Sequence, residues 1–423
     1  MKTDKILAFI NKIKERALKS KKIILLIVFL LLVDLVLGLV SRYLIGLLPE
    51  QNEAQRWSEE NRMAQVSVFF TEDQLIDEDF IKKLEFSFGQ KLILDGIVSE
   101  EDAANGKTAT PQIIETIDVS KKDEESNDQP AKEENRMFAS CYSAQGVTSM
   151  SFDGKTAENV ATIGVGGDFF LFHPLELVNG QFFGPNDLMK DSVVIDEDLA
   201  WQLFGSNDVA GQMITIKDVP HYVTGVVKRQ EGKMREASGL TDTVAYISYD
   251  SLCKYGTILS GRTKNVQLSE DGKSANVGGI NCYEIVSPNP VDGIVKKDIT
   301  ESTGLDEKYI SVVDNTDRFK FFSLVNVIAS LITRSMWSKA IFYPYWENTA
   351  RGYEDILALI LLIRMICRAV IILIVVVSIV NMYRNKTWTV SGVASYLSDK
   401  KYDLQVKLKE KKERKKLKGR KED

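Results

Sequence analysis

The chain has 423 residues, a net charge of −5 and 44% hydrophobic residues. That leaves room for two or three domains and is too polar for a many-span transporter. Four cysteines without a CxxC pair, and only two histidines, exclude a thioredoxin-type motif and leave little material for a His-based catalytic or metal site. The charge is segregated: residues 1–22 carry eight Lys/Arg against two acids and residues 383–423 fourteen against six, so the stretch between them is strongly acidic. Such asymmetry is a signal of membrane topology.

After the basic N-terminus (1–22), Ile23–Leu48 is an almost unbroken apolar run. As a helix it extends about 38 Å, enough for the hydrocarbon core. It is too long for a cleaved leader and lacks a small-residue cleavage site, so it reads as a retained anchor. A second apolar run, Ile356–Met382, is interrupted only by Arg364 and Arg368 and leads into the basic tail 383–423. The positive-inside rule puts both termini in the cytoplasm, which two spans satisfy. The expected location is a bacterial plasma membrane. Asp34 sits within the first run at a depth similar to that of Arg368, and Arg364 shares a helix face with Arg368. A charge at that depth is costly unless paired. These three residues therefore pair with one another, Asp34 with Arg368 and Arg364 nearer the outer surface, or with another subunit's helices. The basic termini fit anionic lipids or a cytoplasmic partner better than nucleic acid.

Residues 50–316 read as an extracytoplasmic α+β domain. Ala64–Phe70 alternates like a strand; Thr71 and Gln74 have the spacing of a capping box, and Asp79–Leu94 reads as an amphipathic helix. Residues 106–134 are acidic and nearly devoid of apolar groups towards their end, the composition of a flexible insertion. Phe138–Tyr142 and Val147–Phe152 suggest a strand pair. Val160–Val165 is a strand ending in Gly166-Gly167, followed by a short helix or tight loop over Asp168–Leu175. Val178–Phe183 turns at Gly180. Ser192–Ile195 is a strand, Asp196 an N-cap, Glu197–Phe204 a helix and Gly205 its stop. Met213–Lys217 and His221–Lys228 form a hairpin around Asp218–Pro220, and Val244–Ser248 and Cys282–Val286 are further strands. The Gly-rich stretch 261–279 reads as a mobile loop. Cys253 and Cys282 leave two readings open, a disulfide or free thiols. Asp317–Thr333 is a stalk or interfacial helix. The segment to residue 354, with Trp337, Phe342, Tyr343, Tyr345 and Trp346, suits either the membrane–water interface or a packed core.

Catalytic chemistry finds little support. Gly106-Lys107-Thr108, Gly154-Lys155-Thr156 and Gly272-Lys273-Ser274 lack the upstream glycine of a phosphate loop. Gly164–Gly167 lacks dinucleotide spacing, and His173 reads as a core or turn residue. The acidic group Asp191, Asp196, Glu197 and Asp198 suits either a cation or capping and a solvated face. No catalytic residue, cofactor or metal site is expected.

Residues 160–228 carry a specific pattern: Asp168-Phe169-Phe170 after a strand, Leu177–Phe183 with Gly180 and Phe183, Val193–Gly205 with Asp196, Leu203, Phe204 and Gly205, Val209–Ile216 with Gly211, and Val223–Val227 with Gly225. In order and residue type it resembles the MacB-like periplasmic core domain of FtsX/MacB-type ABC transporter permeases. The resemblance implies an α+β core of two subdomains anchored by transmembrane helices. It also implies a non-enzymatic role in which that core relays movement driven by a cytoplasmic ATPase. Such permeases carry three helices after the core, whereas a single apolar run follows it here. The expectation is a reduced, permease-like subunit that works with a separate ABC ATPase and fuller permeases, or a stand-alone sensor or scaffold.

Overall fold

The computed structural model describes residues 2–52, 54–57, 62–98, 137–240, 243–267, 274–334 and 339–384, with side chains from residue 21 onward except 55, 382 and 383. The acidic insertion expected at 106–134, Trp337 and the tail beyond residue 384 lie outside the described residues.

Helix α1 (Lys2–Gly46) is followed by a single turn at Pro49–Gln51, α2 (Ala54–Trp57), β1 (Met63–Phe70) and α3 (Glu78–Leu94). The Asp77 carboxylate starts α3 by accepting the Phe80 amide (2.9 Å). Thr71 and Gln74, expected as a capping box, instead close a separate turn, because the Gln74 amide donates to the Thr71 carbonyl. Next comes one long hairpin, β2 (Ala139–Phe152) and β3 (Lys155–Gly167), turning at Asp153-Gly154 with both φ positive, the geometry that right-twisted strands favour. The two strands expected over 138–152 are thus halves of one. The apparent break at Gly146 is a close approach: a Cβ there would lie 2.4 Å from the Thr257 carbonyl oxygen.

The chain continues through α4 (Phe169–Phe172), β4 (Leu177–Gly180), β5 (Ser192–Asp196), α5 (Glu197–Leu203), β6 (Met213–Ile216), β7 (Val219–Val227), α6 (Lys233–Ala237), β8 (Val244–Ser248), α7 (Tyr249–Tyr255) and β9 (Thr257–Ile258). The β6–β7 turn falls on Lys217-Asp218, both at positive φ, so Pro220 lies inside β7 rather than in the turn. Strands β10 (Thr263–Gln267) and β11 (Ser274–Gly278) pair as a separate ribbon where a loop was expected. Then follow β12 (Cys282–Pro288), α8 (Ile294–Ser302), β13 (Ile310–Asp314), α9 (Phe321–Arg334) and α10 (Tyr345–Arg384).

Residues 38–362 make one compact unit. Its main sheet has the order β13-β1-β12-β2-β3-β8-β5-β7-β4, with β6 and β9 attached beside it. Pairs β3–β8 and β5–β7 are parallel and the rest antiparallel. The long β2–β3 hairpin joins two halves: α3 and α8 pack on the β13-β1-β12-β2 half, α5 and α7 on the other. Central strands are buried on both faces. Along β1, Phe70 enters one hydrophobic cluster with Phe88 and Leu92, while Phe69 enters a second with Trp57, Phe172 and Trp346. Each such aromatic contributes about 1.5–3 kcal/mol by leaving water. Tyr343, Tyr345 and Trp346 belong to or pack against this second cluster, so they serve the core of the domain. All four cysteines are free and buried, which removes the Cys253–Cys282 disulfide.

The second unit comprises residues 2–37 of α1 and 363–384 of α10 among those described. Its apolar residues point outward all round: Leu25, Phe29, Leu35, Ile372 and Leu373 are more than half exposed. A helix apolar on every side needs lipid or protein around it. Two stretches, Lys21–Gly46 and Tyr345–Asn381, are long and apolar enough to cross a membrane.

Candidate functional site

Six residues of the sequence pattern line one cavity of about 560 Å3 within residues 38–362: Gly166, Gly167, Asp168, Phe169, Phe170 and Phe183. Helix α3 contributes Glu78, Ile81, Lys82 and Glu85 to the same space. The head of α7 brings Tyr249 and Asp250, and the β4–β5 connection brings Asp187, Met189 and Lys190. The glycines shape the wall. A Cβ on Gly166 would stand 2.1 Å from the Tyr142 ring, and Gly167 takes φ +69°, which an L side chain resists.

The wall is aromatic and acidic. Phe170 stacks on Phe182 (4.5 Å) and meets Phe183 edge-on (5.1 Å); Tyr142 meets Tyr249 edge-on (5.8 Å). Tyr142 donates to Glu78 Oε1 (2.8 Å) and Ser140 to Glu85 Oε1 (2.5 Å). Burial, then the adjacent Glu78 carboxylate, push the Tyr142 phenol well up, so it remains a donor. Glu78, Glu85, Asp168, Asp187 and Asp250 line the cavity together with Lys82 and Lys190. Carboxylates outnumber ammonium groups, and π-faces favour cations. The arrangement suits a ligand with both cationic and aromatic or apolar parts.

The rest of the pattern builds the scaffold behind this wall. Gly180 pairs with Gly225 across β4 and β7. The Gly211 amide donates to the Val223 carbonyl (2.7 Å). Leu203 is fully buried in α5, Phe204 packs on Phe152 (4.3 Å), and Gly205 follows at positive φ. Asp196 caps α5 through the Leu199 amide (2.8 Å) and also accepts from the Val244 amide (2.6 Å). Burial pushes its carboxyl up to about 6 despite these two donors.

Within the unit of residues 2–37 and 363–384, Asp34 meets both arginines. Arg364 Nε donates to Oδ1 (2.9 Å), and Arg368 Nε and Nη2 donate to Oδ1 and Oδ2 (3.2 and 3.1 Å). Asp34 is 18% exposed at its side chain and Arg368 49%.

A buried ionic knot in the larger unit involves none of the residues singled out from the sequence. The side chain of Arg318 is 2% exposed. Its guanidinium donates to Glu354 Oε1 (2.5 Å), to both Glu347 oxygens (2.6 and 2.9 Å), to Gln51 (2.9 Å) and to Asn315 (3.2 Å). Arg351 also donates to Glu347 (2.8 Å), and Arg334 to Glu354. The knot ties the Pro49–Gln51 turn, the β13–α9 connection and the start of α10 to one another. The seven-residue interval between Glu347 and Glu354, which puts both on one helix face, is its signal in the sequence.

This fold and wall define a mixed α/β domain carried by two long apolar helices, the build of a membrane-anchored protein. Residues 92–277 match the family described as the MacB-like periplasmic core domain, and the chain carries such a domain, the type found in ABC-transporter permease components. Among curated proteins, the "Macrolide export ATP-binding/permease protein MacB" of Chromobacterium violaceum is 36% identical over 75 residues, 17% of this chain and 12% of that protein. Its namesake from Agrobacterium fabrum is 40% identical over 77 residues, 18% and 12% of the two chains. The matches thus span about an eighth of the length of these relatives. Among solved structures, the periplasmic region of MacB from Actinobacillus actinomycetemcomitans aligns over 64% of this chain and 94% of its own, at 12% identity and a TM-score of 0.35.

Proposed function

We propose that the chain is a non-catalytic, permease-like subunit of an ABC-type transport or mechanotransmission complex, coupling a separate cytoplasmic ATPase to its extracytoplasmic domain. The observation that carries this reading is the match of residues 92–277 to the MacB-like core, set between two helices able to cross a membrane. In this reading residues 1–22 and 383–423 lie in the cytoplasm against anionic lipid, 23–48 and 356–382 span, 50–316 form the core and 317–354 the stalk. Asp34, Arg364 and Arg368 form an intramembrane charge cluster that holds the two spans together, since an ionised side chain in hydrocarbon is tolerated only with a partner. Fuller permease subunits complete the translocation path. Extraction in a gentle detergent tests the proposal: an ATPase and a second permease should co-purify, with a yield that depends on nucleotide. A chain recovered only as a lone monomer, with or without nucleotide, defeats it.

The cavity favours a second reading, a membrane-anchored binding or sensory module without transport. Its excess of carboxylates and its aromatic walls fit a cationic, partly apolar ligand. Thermal stabilisation of the purified full chain by such ligands, in preparations free of any ATPase, supports this reading; identical melting with and without them rejects it.

A further inference from the structure

Glu284 is a carboxylate in the core of the domain, its side chain 2% exposed. It lies on β12 directly opposite Cys141 of β2. The groups that meet it are Ser67 Oγ (2.8 Å, to Oε1), Cys141 Sγ (3.9 Å, to Oε2) and His173 Nε2 (2.5 Å, to Oε2). None of these three is a permanent cation. A buried carboxylate is costly unless it is hydrogen-bonded, ion-paired or bound to a metal.

The surrounding shell orients the three donors. Asn315 Nδ2 donates to Ser67 Oγ (2.8 Å), which fixes the hydroxyl that holds Glu284. His173 ends α4, where its amide donates to the Phe169 carbonyl (2.9 Å). Its ring stacks on Phe169 (4.3 Å) and leans on Trp346 (4.5 Å). Ligands whose rotamers are set by an outer layer are characteristic of metal sites. Thiolate, imidazole and carboxylate together make a donor set for zinc and its neighbours, not for calcium or magnesium.

We propose that Cys141, His173 and Glu284 bind one thiophilic divalent cation of the zinc class in the core of the domain. Their ligand atoms all lie within 4.8 Å of one another. Around zinc, with bonds of about 2.0–2.3 Å, tetrahedral neighbours stand roughly 3.3–3.7 Å apart. His173 and Glu284 therefore separate by about 1 Å on loading, exchanging one hydrogen bond for two metal bonds. The site is structural: it clamps α4, and hence the Asp168–Phe170 wall of the cavity, onto the sheet. A spacing rule misses it because its ligands come from three separate segments.

The untagged full chain in detergent, stripped with chelator and titrated with Co2+, tests the assignment. One equivalent should bind with a thiolate-to-cobalt charge-transfer band, Zn2+ should displace it, and either metal should raise the melting temperature. Cys141→Ser should remove the band and weaken binding at least tenfold, while the Cys253→Ser/Cys367→Ser double variant should retain both. The wild-type titration stands even if a variant fails to fold. Absence of the band in folded wild type, or its persistence in Cys141→Ser, overturns the site and leaves a buried imidazole–carboxylate hydrogen bond.

Discussion

Arg318→Met removes the one side chain that touches Glu347, Glu354, Gln51 and Asn315 together. Methionine fills much of the volume, so the loss is mainly electrostatic. Removing one partner of a buried pair costs about 3–5 kcal/mol, because the remaining charge is left uncompensated. Two carboxylates are stranded here, but Arg351 still reaches Glu347 and Arg334 still reaches Glu354, which keeps the loss within that range. For a unit of this size it corresponds to a fall of roughly 4–7 °C in melting temperature. The fluorescence of Trp57 and Trp346, both buried nearby in the second cluster, reports unfolding of the full chain in detergent. Arg318→Lys should recover only part of the loss, since an ammonium cannot make the forked contact to Glu347. Adding Glu347→Gln to Arg318→Met should cost less than the two single changes combined. A loss below about 1 kcal/mol for Arg318→Met, or full recovery with lysine, refutes the idea that this knot is a mutually dependent unit.

Three further outcomes are expected. Asp196 has a folded-state pKa near 6, above its ordinary 3.8, so its contribution to stability is complete below about pH 4 and is lost as pH rises through 6. The change amounts to about 3 kcal/mol, and urea midpoints across that window should fall less steeply in Asp196→Asn than in wild type. Gly166→Ala drives a methyl group into the Tyr142 ring; a loss of about 1–3 kcal/mol in thermal unfolding, together with weaker binding of any cavity ligand, is the expected result. Asp34→Asn and Arg368→Gln should each loosen the helix pair in detergent melts. Their double variant should show coupling, and strict additivity would assign the charges to another subunit's helices.

Much of the half of the sheet that contains β5 and β7 was legible. Val193–Val194-Ile195 supplies a short apolar strand, Asp196 a cap and Gly205 a stop, all local signals that the structure places within a residue or two. Elsewhere local signals misled. The strands expected over 138–142 and 147–152 are one, and Gly146 between them clears room for a neighbouring strand. The 261–279 stretch contains too little apolar material to announce β10 and β11, of which β10 is largely exposed and β11 buries Ala275. The cavity was half legible. The pattern singled out Asp168, Phe169 and Phe170 as residues of interest, but no local rule links them to Glu78 and Glu85, which reach the same space from a helix some eighty residues earlier. Glu284 carried an unread signal: in Cys-Tyr-Glu-Ile-Val, strand alternation puts it on the same face as two small apolar residues, where a carboxylate must find a partner.

The main sheet ends in β13 and β4, of five and four residues. A membrane confines its proteins to two dimensions and raises the frequency of lateral collisions. A long open strand edge would there be a template on which one copy could extend another's sheet. These short ends offer an incoming strand only a few backbone hydrogen bonds. Association at these two edges therefore rests on side-chain complementarity, which selects its partner, rather than on backbone pairing, which accepts almost any sequence.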